Sequence, residues 1–274
     1  MKIVIKVGGE LLAEKSAVEL AAIANDVRGL IEQGHQVILV HGGGPQTTAL
    51  QEALGQKPQI IGGRRVTDQA ALDALLMVVG GKLNVDFVGA LRRAGIQAVG
   101  LHGVSGGLIR CVRRPPKPVS GSDGQAVDFG FVGDVTGLNE GLVELLLGGG
   151  YTPVLACIGG DDEGRPYNIN ADMVANGVAK ELRAQRLLLI TNTPGVLGDV
   201  KDPSSRIPKL TIAEGRRAIE SGQVKGGMIP KLEESFEVLE AGSIEQVHIL
   251  GHLGPGDLAK AMAEPGSVGT ALLR

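Results

Sequence analysis

Short apolar runs alternate along the chain with stretches whose apolar residues recur every three or four positions. Residues 3–7 read as a buried strand. Leu20, Ile23, Val27, Leu30 and Ile31 come next at helical spacing, and Gly34 ends that helix. Residues 36–40 form a second apolar run that closes on His41, Gly42, Gly43 and Gly44, and Pro45 stands at the favoured first position of a new helix. Residues 68–94 predict a long helix interrupted at Gly80 and Gly81. Strands are predicted over 97–101, 108–112 and 132–135; the Gly-, Ser-, Asp- and Pro-rich segment 117–130 reads as loop or hairpin. A helix over 139–147 precedes a strand over 152–158, a turn around Gly159, Gly160 and Asp161, and a helix over 170–184. Residues 186–191 form the most apolar strand. Helices near 212–221, 230–241 and 257–263 then alternate with strands at 246–250 and 270–273.

Strand and helix in repetition predict an α/β protein with a largely parallel sheet. In such sheets ligands bind beyond the carboxyl ends of the strands, where several glycine clusters of this chain fall. A boundary near Ala184 is expected, because one long helix separates the strands on either side of it.

Composition narrows the function. Glycine accounts for 43 of 274 residues, about twice its ordinary share of about 7%, without a collagen period. The formal charge is −3, so no basic excess drives nucleic-acid binding. The longest apolar runs fall short of the ~20 residues needed to cross a bilayer, and no membrane association is expected. Cys111 and Cys157 stand far apart, outside any metal-binding spacing, and read as buried thiols of a cytoplasmic protein.

Glycines at strand ends let backbone N–H groups approach an oxyanion. Gly8 and Gly9 end the first strand; Gly42, Gly43 and Gly44 end the second and open onto a helix N-terminus, which favours phosphate. Lys6 lies inside the first strand, where a cation is unfavourable unless it meets an anion. Asp172 falls in the first turn of a predicted helix, as a cap or as an orienter of cations. Lys231 comes after a glycine turn, at the start of another helix and against the helix dipole, which hints at a partner anion. No Walker loop, dinucleotide fingerprint or protein-kinase motif occurs. Residues 103–107 fit the G-x-S-x-G pattern around Ser105, with His248 and His252 downstream. The residues after Ser105, however, read as a strand rather than the helix a nucleophile elbow needs.

Together these motifs resemble the amino-acid kinase family nearly end to end. They are IKVGGE (5–10), VHGGGP (40–45), GRRVTD (63–68), GLHGVSGGLI (100–109), FVGDV (131–135), YNINADMVA (167–175), LLLITNTPGVL (187–197), GGMIPK (226–231) and a terminal GT (269–270). The resemblance implies a three-layer αβα sandwich around a mainly parallel central sheet, in two lobes. Residues 1–182 would be the amino-acid-substrate and dimerisation lobe, and 183–274 the nucleotide-binding lobe. It implies ATP-dependent phosphorylation of a side-chain carboxylate to an acyl phosphate. GRRVTD and NINAD point to the γ-carboxylate of N-acetyl-L-glutamate, in arginine biosynthesis. The substrate brings its own nucleophile, so catalysis reduces to positioning and charge stabilisation.

By the same resemblance Lys6 and Lys231 flank the transferred phosphoryl and Asp172 holds both. Amides of Gly8, Gly9, Gly43 and Gly44 cradle phosphoryl and carboxylate, Arg65 clamps the substrate α-carboxylate, and Asn168 bonds the substrate. Asn192, Thr193, Pro194, Gly195, Val196 and Leu197, with Gln223, Val224 and Lys225, line the nucleotide pocket. Mg²⁺ arrives on ATP. Asn192 replaces the family's usual Asp, removing one charge near the phosphates. With Lys6 so near the start, the resemblance implies an arginine-insensitive homodimer. Three alternatives stay open. One is a kinase for carrier-protein-linked aminoadipate or glutamate, with Arg64, Arg110, Arg113, Arg114 and Lys117 as a basic rim for the acidic carrier. The others are a non-catalytic nucleotide- or arginine-binding regulator and the hydrolase.

Overall fold

The computed structural model describes residues 1–12, 17–119, 124–242, 244–251 and 253–274. Among the described residues, eight strands form the central sheet. They are β1 (Lys2–Val7), β2 (Gln36–His41), β3 (Ala98–Leu101), β4 (Thr152–Ala156), β5 (Arg186–Thr191), β6 (Lys209–Thr211), β7 (Gln246–Gly251) and β8 (Thr270–Leu273). Their order is β6-β8-β7-β5-β1-β2-β4-β3, parallel throughout except for β7 against β8. Successive residues Ile3, Val4 and Ile5 are all fully buried although they point to opposite faces, so both faces of the sheet are covered. Helices α1 (Ala17–Glu32), α2 (Gly44–Ala53), α3 (Gln69–Arg93), α4 (Glu140–Gly148), α5 (Ala171–Glu181), α6 (Ile212–Glu220), α7 (Met228–Glu240) and α8 (Asp257–Ala263) supply the cover. The arrangement is the expected three-layer one.

A smaller four-stranded sheet stands beside it, in the order Pro166–Asn168, Ile158–Gly160, Ile109–Arg113, Gly133–Leu138. Its presence corrects the expected turn at Gly159 and Gly160, which are strand residues. A Cβ on Gly159 would lie 2.4 Å from Ile169 Cδ1 and 2.7 Å from Cys111 Sγ. Glycine is there for close packing, and the turn begins at Asp161, whose carbonyl accepts from Gly164 N–H at 3.0 Å. Short hairpins pair Ile60–Ile61 with Arg64–Arg65, Leu197–Asp199 with Asp202–Arg206 and, within the segment expected as loop or hairpin, Lys117–Pro118 with Ala126–Val127. Residues 120–123 of that segment lie outside the described residues.

Gly80 and Gly81 do not break α3. The helix continues through a π-helical stretch, Leu76–Leu83, that absorbs them. Its 25 residues are long and apolar enough, by length and composition, to cross a membrane, and half of the most apolar stretch is buried inside the chain. Charged residues Asp73, Lys82 and Asp86 hide it from a search for uninterrupted apolar runs. Its inner face, including Leu72, Leu75, Val79, Leu83, Phe87 and Leu91, belongs to the core.

Candidate active site

The carboxyl ends of β1, β2 and β5 open on one side of the sheet, and the charged residues collect there. Lys6 is the fifth residue of β1, paired in register with Val40 and Leu189, and only 9% exposed. Asp172 lies in the first turn of α5, whose N-cap Asn170 accepts the Asp172 N–H at 2.7 Å. Lys231 lies in the first turn of α7. These three elements converge. Lys6 Nζ sits 2.9 Å from Asp172 Oδ1 as an ion pair, and Lys231 Nζ donates to Asp172 Oδ2 at 2.5 Å. Burial alone would push the Asp172 carboxyl up; the charges of Lys6 and Lys231 outweigh it and hold the group at about 2. Burial and the neighbouring Lys6 pull the Lys231 ammonium down, against the charge of Asp172.

The glycine clusters form the wall. A Cβ on Gly9 would lie 2.8 Å from Gly43 Cα, and one on Gly43 would lie 2.6 Å from Leu83 Cδ1 and 2.7 Å from Val79 Cγ2. The two strand ends therefore meet backbone to backbone against the π-helical stretch of α3. Gln46 Nε2 donates to Gly9 O at 2.6 Å and closes the contact. Gly8 is different from its neighbours, because its N–H donates to Ile190 O at 3.1 Å and serves the sheet. Behind the wall His41 is fully buried, its Nδ1 3.0 Å from Gly42 O and its Nε2 3.0 Å from Asn84 Nδ2. Burial lowers its pKa to about 4 against the opposing Gly42 bond, which keeps the ring neutral and fixes the tautomer that donates to Gly42.

A cavity of about 490 Å³ lies in front of this wall. Its lining brings together Lys6, Gly9, Gly43, Gly44, Arg65, Asn168 and Asp172, all expected at the site; Gly8, also expected, is not part of it. Arg65 stands on the short hairpin. It donates to Gln51 Oε1, to Gly44 O at 3.0 Å and to Thr48 Oγ1 at 2.5 Å, which ties it to α2. Asn168 Nδ2 donates to the buried Thr67 Oγ1 at 3.0 Å.

A second cavity of about 350 Å³ lies on the other side of Lys231. Its lining includes Asn192, Thr193, Gly195, Val196, Leu197, Val224 and Lys225, with Val200 and Met228 in addition. Pro194 and Gln223 are not among the lining residues. The terminal GT motif holds the loop. Val196 N–H donates to Thr270 Oγ1 at 2.8 Å, and that hydroxyl donates to Ile207 O at 2.6 Å. Gly195 has φ +140, and a Cβ on it would lie 2.7 Å from Thr270 Oγ1.

Some residues of the site escaped the sequence. Arg114, expected on an outer rim, is 4% exposed and lines the first cavity. The strand Ile109–Arg113 alternates buried and exposed as far as Val112; Arg113 breaks the alternation by staying exposed, and Arg114, just past the end of the strand, is buried. Thr48 and Arg64 also line this cavity. Glu234, three residues after Lys231 on α7, is half-buried; burial first and Asp172 second push its carboxyl up to about 7, with Arg64 and Lys231 opposing.

The hydrolase pattern dissolves. Ser105 sits in a 3₁₀ turn, Ser105–Gly107, between two strands, with Oγ 3.4 Å from His102 Nδ1. His248 is fully buried within β7, and His252 lies outside the described residues. The basic rim thins as well. Arg113 pairs with Asp128 at 2.9 Å and Arg114 with Asp134 at 2.6 Å.

The family model of the amino acid kinases matches residues 1–251. The chain belongs to the amino acid kinase family. Relatives extend the likeness to nearly the whole chain. An acetylglutamate kinase of Sorangium cellulosum is 54% identical over 271 residues, 99% of this chain and 94% of the relative. Another, of Anaeromyxobacter dehalogenans, is 52% identical over 99% of this chain and 98% of its own. Among solved structures, smu.665 of Streptococcus mutans has TM-score 0.77 and 27% identity over 99% of this chain and 98% of that one. These relatives match this chain over nearly its whole length and theirs, and the solved one shares its fold.

Proposed function

We propose that this chain transfers the γ-phosphoryl group of ATP to the γ-carboxylate of N-acetyl-L-glutamate, in arginine biosynthesis. One observation carries the reading. Two ammonium groups from remote parts of the chain meet on one carboxylate, between a cavity with several cationic residues and a cavity with apolar walls. The relatives named acetylglutamate kinase supply the substrate.

In this reading a γ-carboxylate oxygen attacks the γ-phosphorus, the bond from that phosphorus to the β-phosphate oxygen breaks, and acyl phosphate and ADP result. The carboxylate is already ionised, so no base is required. Lys6 neutralises the transferred group on the substrate side, Lys231 on the ATP side, and Asp172 holds both in line. The cradle falls to the amides of Gly9, Gly43 and Gly44, because the Gly8 amide is bonded to Ile190. Arg65 receives the α-carboxylate in its planar fork, and Asn168 bonds the substrate. The loop from Asn192 to Leu197, with Val224 and Lys225, receives the nucleotide, and Pro194 and Gln223 flank it. Mg²⁺ is held by phosphate oxygens and water, since both oxygens of Asp172 are engaged by lysines.

Residues 1–182 and 183–274 act as substrate and nucleotide lobes sharing one sheet. A homodimer is supported by Met77 and Val85, exposed apolar side chains of α3. Two free, buried cysteines suit the cytoplasm. The carrier-linked alternative loses support from the paired states of Arg113 and Arg114.

The test is ATP-dependent hydroxamate formation from N-acetyl-L-glutamate and hydroxylamine, with Lys6→Ala and Lys231→Ala beside the wild type. Loss of product in both variants is expected. Unchanged turnover in either refutes the assigned roles, and no product from the wild type refutes the substrate.

A further inference from the structure

Arg114 closes the first cavity on the side of the small sheet. Its N–H donates to Val132 O at 2.8 Å, and Val132 bridges in turn to Asn168. Arg114 therefore stands beside the asparagine assigned to the substrate, and both line the cavity. Its Nε donates to Asp134 Oδ1 at 2.8 Å, and Nη2 approaches the same oxygen to 2.6 Å and donates to Met173 Sδ at 3.3 Å. Met173 is next to Asp172 in the chain, so the group lies beside the first turn of α5. These bonds use Nε and Nη2; the two N–H groups of Nη1 take no part in them. A buried guanidinium held through a single carboxylate oxygen is a poor way to stabilise a fold, since apolar side chains of like volume often serve as well. Its place in the cavity lining gives it another use.

The substrate offers three branches at its α-carbon. In the proposed reaction the side chain runs to Lys6 and the glycine wall, and the α-carboxylate to Arg65. The acylamino branch remains, and the wall left for it combines Arg114 with the apolar Val132, Cys157 and Ile169. We infer that Arg114 determines specificity for the N-acyl group. The guanidinium donates to the acyl carbonyl oxygen, and Val132, Cys157 and Ile169 receive the methyl. The same cation repels the α-ammonium of an unacylated amino acid, so free glutamate meets both a missing acceptor and a like charge. This deepens the proposed function and rests on it.

Arg114→Met separates the role from a structural one. The readouts are KM and kcat for N-acetyl-L-glutamate and the inhibition constant of glutarate, a diacid that lacks the acylamino branch. The loss of a buried charged hydrogen bond predicts a rise in KM of about 10- to 100-fold with little change in kcat. Glutarate inhibition is expected to stay within about twofold, because it never met the lost group. Discrimination against L-glutamate narrows in step with the KM change. A parallel rise in KM and in the glutarate constant overturns the inference, as does an unchanged KM. Should Arg114→Met fail to fold, Arg114→Met with Asp134→Leu removes the stranded carboxylate and gives the same comparison. A wild type that leaves N-acetyl-L-glutamate unphosphorylated refutes the underlying reading. Wild-type turnover with an indifferent variant refutes this inference alone.

Discussion

The first cavity is walled by two glycine strand ends pressed against a helix, whereas the second is lined by a loop pinned to strand ends on the far side of the sheet. Around the first, Gly9 touches Gly43, Gly43 touches Val79 and Leu83, and His41 and Asn84 lock Gly42 from behind. Around the second, the segment from Asn192 to Leu197 is pinned by the hydroxyl of Thr270, by the Ile207 N–H donating to Val196 O at 2.8 Å and by the close approach of Gly251 to the Thr193 carbonyl. The difference reflects the task of each side. Amides that stabilise charge in a transition state must be fixed within tenths of an ångström, while a nucleotide can be held by an apolar slot with a few polar contacts. Asp172 is the group the two sides share.

Removing that shared group is the sharpest way to break the comparison. Asp172→Asn leaves two buried ammonium groups facing each other without a carboxylate. Turnover is expected to fall by about 10³-fold or more, on the scale of losing a preorganised charge contact, with affinity for each substrate less affected. Steady-state kinetics with isothermal titration of ATP and N-acetyl-L-glutamate checks it. A variant that keeps a tenth of its rate would show that the lysines are oriented by something else.

Acid should loosen the sheet on both sides of β1, because β2 and β7 each contain a buried neutral histidine. Burial holds His41 and His248 at about 4, against an ordinary value near 6.5; the charge of Arg186 also lowers His248. Between those values the unfolded chain binds more protons than the folded one, so stability falls as the pH drops from about 6.5 to about 4. At 1.36 kcal/mol per unit the loss is about 3 kcal/mol for each ring. Asp172 acts further down: its folded value of about 2 lies below the ordinary 3.8, so its contribution is present above 3.8 and fades as pH falls toward 2. Denaturant melts at pH 7 and pH 4.5 measure the slope. His248 has two buried ring nitrogens without a partner, so His248→Leu is expected to flatten the slope without loss of stability at pH 7.

The glycine wall predicts a contrast between neighbours. Gly43→Ala places a methyl group against two buried side chains, which should destabilise the fold by about 1–3 kcal/mol and displace the cradle amide. A Cβ on Gly44 meets no atom within 4 Å, so Gly44→Ala should retain the wild-type melting temperature. Thermal melts of both variants decide whether the wall is as rigid as the contacts imply. Equal behaviour would mean that α3 yields.

The legible part of the molecule is the part where chemistry and period coincide. The apolar runs of β1, β2, β5 and β7 and the helices between them are readable because both faces of the sheet are buried. Lys6, Asp172 and Lys231 stand out because each is marked by its local setting: a cation in an apolar strand, a cation in a first helical turn, and an acid at another. Arg114 reads as a rim residue because it stands in a basic run just past the end of a strand, and its burial depends on remote partners, Val132 and Asp134, that leave no mark in composition. Gly159 and Gly160 read as a turn because a glycine needed for close packing and one needed for a turn look alike in one dimension. The small sheet is hidden for the same kind of reason, as its strands are short and, apart from the hairpin of Ile158–Gly160 with Pro166–Asn168, they join through pairings remote in sequence.

The smallest effect bears on the carrier-linked alternative. Arg113 and Asp128 pair at 2.9 Å with both side chains more than half exposed, a setting in which an ion pair contributes no more than about 1 kcal/mol. Arg113→Ala is therefore expected to shift the melting temperature by no more than a few degrees. Its KM for free N-acetyl-L-glutamate should match the wild type, since Arg113 is absent from the lining of the first cavity. An acidic carrier would change the outcome, because a long-range basic rim acts on association and its effect fades with salt. Turnover by wild type and Arg113→Ala at low and high ionic strength distinguishes the two. Salt-independent, matching rates on the free amino acid keep recognition inside the cavity, whereas a salt-sensitive deficit in the variant would move it to the rim.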